Sequence, residues 1–119
     1  MLAGTIDAVG QIHIPIELTD THGVRRTLDA LLDTGFTGSL GISGALARML
    51  GWQLHGYVEA ALASGAVSLA AFIGEVVFDG QRQVVRAVEI TSDEVIIGLA
   101  LLRDKRLLAD FRTRVVSIE

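Results

Sequence analysis

Residues 30–39, which read Ala-Leu-Leu-Asp-Thr-Gly-Phe-Thr-Gly-Ser, constrain the fold of this chain more than any other stretch. Three apolar residues lead directly into Asp33, and such a continuous apolar run is typical of a strand buried on both faces. A carboxylate at the end of a buried strand is costly unless it is paired or neutralised. Gly35 and Gly38 permit tight backbone conformations and close approaches around it. The segment therefore predicts a sheltered carboxylate in a tight loop, which is an arrangement typical of functional sites.

A second apolar segment, residues 95–102, follows about sixty residues later. It begins Val-Ile-Ile-Gly, which predicts another buried strand, and Gly98 allows that strand to pass close to a neighbour. Together, Asp33-Thr34-Gly35 and this segment resemble the catalytic loop and the adjoining apolar-apolar-Gly strand of the retropepsin-like (retroviral-type) aspartic proteases. The resemblance covers roughly residues 10–118 and points to the small, single-domain bacterial type of the family.

The resemblance implies a mainly β domain, a closed or half-closed barrel with a flap hairpin and one or two short helices. It also implies an aspartic endopeptidase whose catalytic loop contains Asp33, Thr34 and Gly35, with Thr34 hydrogen-bonding across a dimer. The same resemblance assigns substrate-binding positions to Phe36, Ile97 and Gly98, and to Ala63, Ser64 and Gly65 at the flap tip. Phe36 departs from the many viral relatives that carry a small residue there, which leaves the substrate preference open.

Peptide hydrolysis of this kind needs two carboxylates that share one proton, because like charges so close together cannot both ionise. This chain has one Asp-Thr-Gly sequence, so the second carboxylate must come from an identical chain placed on a two-fold axis. We therefore expect a homodimer that acts on a peptide or protein substrate without a metal or an organic cofactor. The terminal strand predicted at residues 114–118 is a candidate for a sheet shared across that dimer.

Two other interpretations stay open. The same fold can serve as a non-catalytic dimerisation or peptide-binding module, which a transition-state mimic would bind no better than a plain peptide. Alternatively, the chain is a small β-barrel in which Asp33 only forms an Asx-turn, with Gly35 supplying a positive φ. A monomeric state would favour this last interpretation.

Composition limits the remaining possibilities. With 119 residues, the chain is expected to form one domain spanning residues 1–119. Its net charge of −4 argues against a nucleic-acid surface. It has no cysteine, which excludes disulfides and thiol chemistry. His13, His22 and His55 lack metal-ligand spacing. The start of the chain lacks the features of a signal peptide and no apolar run is long enough to span a membrane, so we expect a cytoplasmic protein.

Local signals place most of the other elements. Residues 43–51 predict a short helix with Ser43 as N-cap and Gly51 as C-cap, and with Met49 on its apolar face. Trp52, which follows, is expected in the core. Pro15 favours an edge or irregular position for the strand over residues 13–18, because proline cannot donate to a sheet ladder.

Two hairpins and a second helix are also predicted. Strand-like runs at residues 57–62 and 66–72 meet at Ala63-Ser64-Gly65, and the resemblance identifies this hairpin as the flap. A further hairpin turns at Asp79-Gly80, between strands at residues 75–78 and 83–90. A second helix is expected over residues 99–107.

Overall fold

Ten strands make up most of the chain, and they are joined by one α-helix and one short 3₁₀ helix. The computed structural model describes the backbone of residues 1–119 and every side chain except that of Leu62. The strands, in chain order, are β1 (Leu2–Ile6), β2 (Ile12–Thr19), β3 (Arg25–Leu32), β4 (Leu40–Ile42), β5 (Gln53–Leu62), β6 (Gly65–Phe78), β7 (Gln81–Glu89), β8 (Val95–Ile97), β9 (Leu107–Asp110) and β10 (Val115–Ile118). The α-helix, α1, spans Gly44–Leu50, and the 3₁₀ helix spans Leu99–Leu102. The prediction of a mainly β domain is confirmed.

Six of the strands form a closed barrel. They are hydrogen-bonded in the order β6, β7, β4, β8, β3 and β2, and a pairing between β2 and β6 closes the ring. In that pairing Leu18 lies opposite Val76. The barrel is filled by aliphatic side chains with few rings, as the composition requires, and its fully buried members include Ile14, Ile16, Leu18, Leu40, Ile97, Val76 and Phe78.

The long strand β6 joins the barrel to a projecting hairpin. Residues 66–72 and 75–78 were expected to be separate strands, but β6 runs without a break from Gly65 to Phe78. Gly74 makes this possible because it lies against the ring of Trp52, where a Cβ atom would collide with the indole. Trp52 is buried as predicted, and its Nε1–H donates to the carbonyl oxygen of Thr19 (2.8 Å).

Both predicted hairpins are present. The β5–β6 hairpin turns at residues 63–64, since Leu62 pairs with Gly65. The β6–β7 hairpin turns at Asp79-Gly80, whose φ values of 50° and 75° are the positive pair that a type I′ turn requires. Because turn geometry depends on residues within the turn itself, both hairpins could be predicted from the sequence.

Helix α1 is capped as predicted. The Ser43 hydroxyl accepts a hydrogen bond from the backbone N–H of Leu46 (3.1 Å), and Gly51 ends the helix at a φ of 73°. The prediction that Met49 packs on the apolar face is wrong, because Met49 is exposed and the buried residues are Gly44, Ala47 and Leu50. None of the described helices is long and apolar enough to cross a membrane.

Pro15 was predicted at an edge or an irregular position, and the structure excludes the edge but shows a local interruption in the pairing of β2. Strand β2 pairs along most of its length with β3, and on its other side with β1 and β6. The two partners on that other side cover Ile12–His13 and Glu17–Thr19 only. Pro15 falls in the gap between them, so an interior strand accommodates a residue that has no N–H to donate.

The C-terminal part differs most from expectation. A helix over residues 99–107 was predicted, but only Leu99–Leu102 is helical, and it is a 3₁₀ helix. Arg103 is extended and Asp104 has a φ of 63°, which turns the chain into strand β9. Strand β10 lies between β1 and β9 of the same chain. Both edges of β10 are thus occupied within one chain, so β10 is not free to pair with the same strand of a second copy. This contradicts the prediction that the terminal strand forms a sheet shared across the dimer.

Candidate active site

Asp33 lies where β3 ends beside the parallel strand β8. Leu32 pairs with Ile97 in that ladder, and the backbone N–H of Asp33 donates to the carbonyl oxygen of Ile97 (2.9 Å). The two sequence segments that carry the resemblance are therefore adjacent in space. Backbone hydrogen bonds to the neighbouring strand β8 fix the position of Asp33.

The loop after Asp33 is a tight turn held by the carboxylate itself. Oδ1 of Asp33 accepts a hydrogen bond from the backbone N–H of Gly35 (2.9 Å), and the carbonyl oxygen of Asp33 accepts one from the N–H of Phe36 (3.1 Å). This is the Asx-turn geometry, and it uses only one of the two carboxylate oxygens. Within the described part of the chain, Oδ2 has no hydrogen-bond partner.

The expectation of a sheltered carboxylate is wrong for the single chain. Asp33, Thr34 and Gly35 are all exposed, and Leu31 and Leu32 before them are only half-buried. The apolar run continues out of the core instead of ending inside it. The loop therefore presents its carboxylate on the surface, where a second molecule can reach it.

Three backbone hydrogen bonds fasten the loop to the segment after β8. The N–H groups of Gly98, Leu99 and Ala100 donate to the carbonyl oxygens of Ser39 (3.0 Å), Phe36 (2.9 Å) and Gly38 (3.1 Å), respectively. A Cβ atom on Gly98 would collide with the Gly38 carbonyl oxygen and lie 2.7 Å from that of Phe36. Gly98 is required here for close approach between backbones and not for an unusual φ.

A cleft of about 710 Å³ opens beside the Asp33 loop. One wall is the loop itself, and the other is formed by β7 and by the outer half of the β5–β6 hairpin, residues 58–61 and 69. Its lining is largely apolar, with Asp33, Glu59 and Arg86 as the charged members, and it includes Phe36, Val58, Ala60, Leu69, Val88, Ile90 and Ala100. A smaller pocket of about 140 Å³ joins Asp33 and Phe36 to Gly41, Ile90 and Ile96.

The structure separates the predicted substrate-binding residues into two groups. Phe36 is half-buried and lines both pockets. Ile97 is fully buried in the core and lines neither pocket, which contradicts its predicted contact with substrate, whereas Ile96 on the opposite face of β8 lines the smaller pocket. Gly98 is buried under the loop. Ala63, Ser64 and Gly65 lie at the exposed hairpin tip and do not line the cleft, which is bordered by residues nearer the barrel.

Thr34 faces a different surface. Together with Asp33 it borders a separate pocket of about 430 Å³, whose lining includes Gly10 and Gln11 of the β1–β2 turn and Ile12 of β2. Among the described residues its side chain has no hydrogen-bond partner. Among the side chains that the structure describes, none therefore satisfies this hydroxyl.

His13, for which the sequence suggested no role, joins the β1–β2 turn to β3. Its Nε2 contacts Asp7 (2.7 Å) and its Nδ1 contacts Asp29 (2.8 Å). Asp7 also accepts the N–H groups of Val9 and Gln11, which shapes the turn beside Thr34. The carboxylates lie on opposite sides of the ring, and no three acidic or histidine side chains in the described part of the chain form a metal site.

This cluster predicts a pH-dependent stability. Hydrogen bonding to Asp7 first, and to Asp29, raises the pKa of His13 above 6.5, and hydrogen bonding to His13 lowers the pKa of Asp7 below 3.8. The His13 contribution is complete below pH 6.5 and is lost as the pH rises through its raised value, whereas the Asp7 contribution is lost as the pH falls through its lowered value. The cluster therefore stabilises the fold most between these limits.

His13→Gln should accordingly lower the free energy of unfolding most at about pH 5.5 and progressively less towards about pH 8.5. Urea unfolding at several pH values measures this difference. His55→Gln is the matched control, because His55 is exposed and has no side-chain hydrogen bond among the described residues. A His13 deficit that stays constant across the range would refute the assigned ion pairs.

Comparison with known proteins supports the fold. No family model matches the chain, and no curated protein matches it in sequence. The crystal structure of a retropepsin-like aspartic protease from Rickettsia conorii aligns with a TM-score of 0.67 at 15% identity, covering 97% of this chain and 86% of that one. The solution structure of Simian Foamy Virus (mac) protease aligns with a TM-score of 0.53 at 12% identity, covering 74% of this chain and 90% of that one. This protein therefore has the retropepsin-like fold.

Proposed function

We propose that this chain is one subunit of a homodimeric aspartic endopeptidase. The observation that carries the proposal is the placement of Asp33. Its carboxylate is exposed at the end of β3, held by the Gly35 N–H, and it borders a largely apolar cleft in a protein with the retropepsin-like fold. An isolated acid on a turn would not need such a cleft. The likeness to solved proteases supports the fold, and the site geometry supports the chemistry.

The reaction needs a second carboxylate, and a second copy of the chain is its source. In a two-fold dimer the same loop from each subunit lies on the axis. The two Asp33 side chains then hold one proton between them. The ionised side chain removes a proton from a bound water, and the protonated one donates to the oxygen of the scissile carbonyl as the water attacks its carbon. No metal or organic cofactor takes part.

The surface around the loop suits a contact between copies. Thr34 has a hydroxyl without a partner among the described residues, and two exposed apolar side chains lie on segments that adjoin the Asp33 loop. The backbone N–H of Leu99 donates a hydrogen bond to the carbonyl oxygen of Phe36, in the loop after Asp33. Val9 lies on the β1–β2 turn, which borders the same pocket as Thr34. Burying exposed apolar area against a partner is favourable, so a dimer centred on this loop would cover both side chains.

The β5–β6 hairpin is assigned to substrate closure. Its outer half lines the cleft through Val58, Ala60 and Leu69, while residues 63–65 at its tip are not part of the lining. A peptide lying between this hairpin and the Asp33 loop would be held by apolar contacts and shielded from water. Such closure strengthens the electrostatic interactions that drive hydrolysis.

A transition-state mimic tests this proposal against the non-catalytic alternative. A statine-containing peptide carries a hydroxyl in place of the attacking water, so a working protease should bind it at least about 100-fold more tightly than the matched plain peptide. Asp33→Asn should abolish that advantage while leaving plain-peptide binding intact. Equal affinity for both ligands in the unmodified protein would indicate a binding module. The absence of any peptide binding by a monomeric protein would favour a small barrel in which Asp33 is only a turn residue.

A further inference from the structure

One face of the β6–β7 hairpin continues the cleft away from Asp33. Side chains alternate along a strand, so Arg86, Val88 and Ile90 share one face of β7 and its extension. All three line the cleft. Opposite them in the ladder, Ile73 pairs with Arg86 and Ala71 pairs with Val88. The apolar floor of the cleft thus ends at a single guanidinium group.

Arg86 is not engaged within the chain. It is exposed, and it forms no ion pair or side-chain hydrogen bond with any described residue. Arg82, on the same face of the same strand, is different: its Nη2 contacts Oε1 of Glu75 at 2.7 Å, and it does not line the cleft. Of these two arginines on one strand face, Arg82 has a carboxylate partner and lies outside the cleft lining, whereas Arg86 lines the cleft and has no carboxylate partner among the described residues.

The other charged wall residue does not compensate Arg86. Glu59 lies on β5 between Val58 and Ala60, which are half-buried and line the cleft. Glu59 is exposed and also belongs to the lining of the cleft. No ion pair joins Glu59 to Arg86 among the described residues. A carboxylate entering the cleft from outside would therefore meet an unpaired cation.

The strand geometry gives the distance from the reaction centre. Ile90 shares the small pocket with Asp33 and Phe36. At about 3.3 Å per residue, Arg86 lies about 13 Å along β7 from Ile90. An extended substrate covers that distance in about four residues. The Arg86 guanidinium would therefore contact a substrate residue about four positions from the scissile bond, not the two residues that flank it.

We infer that Arg86 determines substrate specificity, and that the preferred substrates are peptides with apolar residues at the scissile bond and an Asp or Glu about four residues away. This inference rests on the proposed function. The guanidinium would bind the substrate carboxylate by a charge-assisted hydrogen bond inside a partly enclosed cleft. Because the contact is electrostatic, the preference should weaken as salt is added.

Matched peptides test the inference. A series with apolar residues around the cleavage site carries Asp, Asn or Lys at each position from two to five residues away, on both sides. We expect kcat/KM to favour Asp over Asn by about five- to tenfold at one position. Arg86→Gln should bring this ratio close to one, and Arg86→Glu should invert the order in favour of Lys. Arg82→Gln, which removes a positive charge from the same strand face outside the cleft lining, should keep the wild-type ratio.

Binding measurements separate this inference from the proposed function. The same peptides with a reduced, uncleavable bond are titrated by fluorescence anisotropy. Cleavage without any acid preference would overturn the inference and leave the protease assignment intact. Acid-selective binding that disappears in Arg86→Gln, without cleavage of any peptide, would support the role of Arg86 and overturn the protease assignment. Neither cleavage nor acid-selective binding would overturn both.

Discussion

Replacing Asp33 with asparagine should lower kcat for peptide cleavage by about 10²–10⁴-fold, the range associated with loss of a general acid–base group. Asparagine keeps the shape of the side chain, and its amide oxygen can still accept the Gly35 N–H. It can neither remove a proton from water nor hold the shared proton. The fold should therefore survive, and the deficit should appear in kcat with little change in peptide affinity. Steady-state kinetics and circular dichroism on the same preparation measure both effects.

The control for this substitution is Asp93→Asn. Asp93 is an exposed loop residue outside the cleft lining, so removing its charge should leave kcat unchanged. Cleavage by Asp33→Asn at the wild-type rate would show that Asp33 is only a turn residue. A loss in both variants would indicate a general effect of charge on the assay and not a catalytic role.

Gly98→Ala should destabilise the protein by about 3 kcal/mol or more, at the upper end of the cost of overpacking. The added methyl group would collide with the carbonyl oxygen of Gly38 and lie 2.6 Å from Cδ2 of Phe36. Backbone cannot move aside as a flexible side chain can, so the loop that carries Asp33 must shift. Because small misplacements of catalytic groups are costly, activity should fall further than the unfolded fraction explains. Denaturant unfolding and kinetics on one sample give both numbers.

Gly41→Ala is the matched control for this substitution. Gly41 is buried near the same site, but its added Cβ would lie 3.3 Å or more from Ile90 and Ile96, whose side chains can adjust. It should cost clearly less stability than Gly98→Ala. Equal losses in the two variants would show that the close backbone approach at Gly98 does not limit the fold.

Features encoded by neighbouring residues were predictable from sequence. The caps at Ser43 and Gly51 and the turn at Asp79-Gly80 depend on side chains or φ preferences within a few positions, and the structure contains them as predicted. Residues 99–107 show the opposite case. Their apolar spacing fits a helix, but β10 offers a ladder to Leu107–Asp110, and that long-range pairing overrides the local preference. Whether Pro15 lay at an edge or at an irregular position could not be decided from sequence for the same reason, since its unpaired side depends on where β1 and β6 end.

The site was predictable only in part. The Asp-Thr-Gly loop and its neighbour strand were found because a resemblance linked them, whereas the opposite wall of the cleft comes from β5 and β7, which no local pattern connects to Asp33. No sequence pattern singles out Arg86, and only the fold places it in the cleft lining with Val88 and Ile90. The exposure of Asp33 was also unexpected, since an apolar run before an acid predicts burial. If a second copy of the chain completes the site, Asp33 is expected to be exposed in a single chain.

Mixed dimers test this last claim most directly. Wild-type chains and Asp33→Asn chains are unfolded together, refolded at a fixed total concentration and assayed over a range of mixing ratios. If each site needs Asp33 from both subunits, activity follows the square of the wild-type fraction, and an equal mixture retains about one quarter of the wild-type activity. Activity that falls in direct proportion to the wild-type fraction, with about one half left in the equal mixture, would show that each chain works alone and would contradict the account.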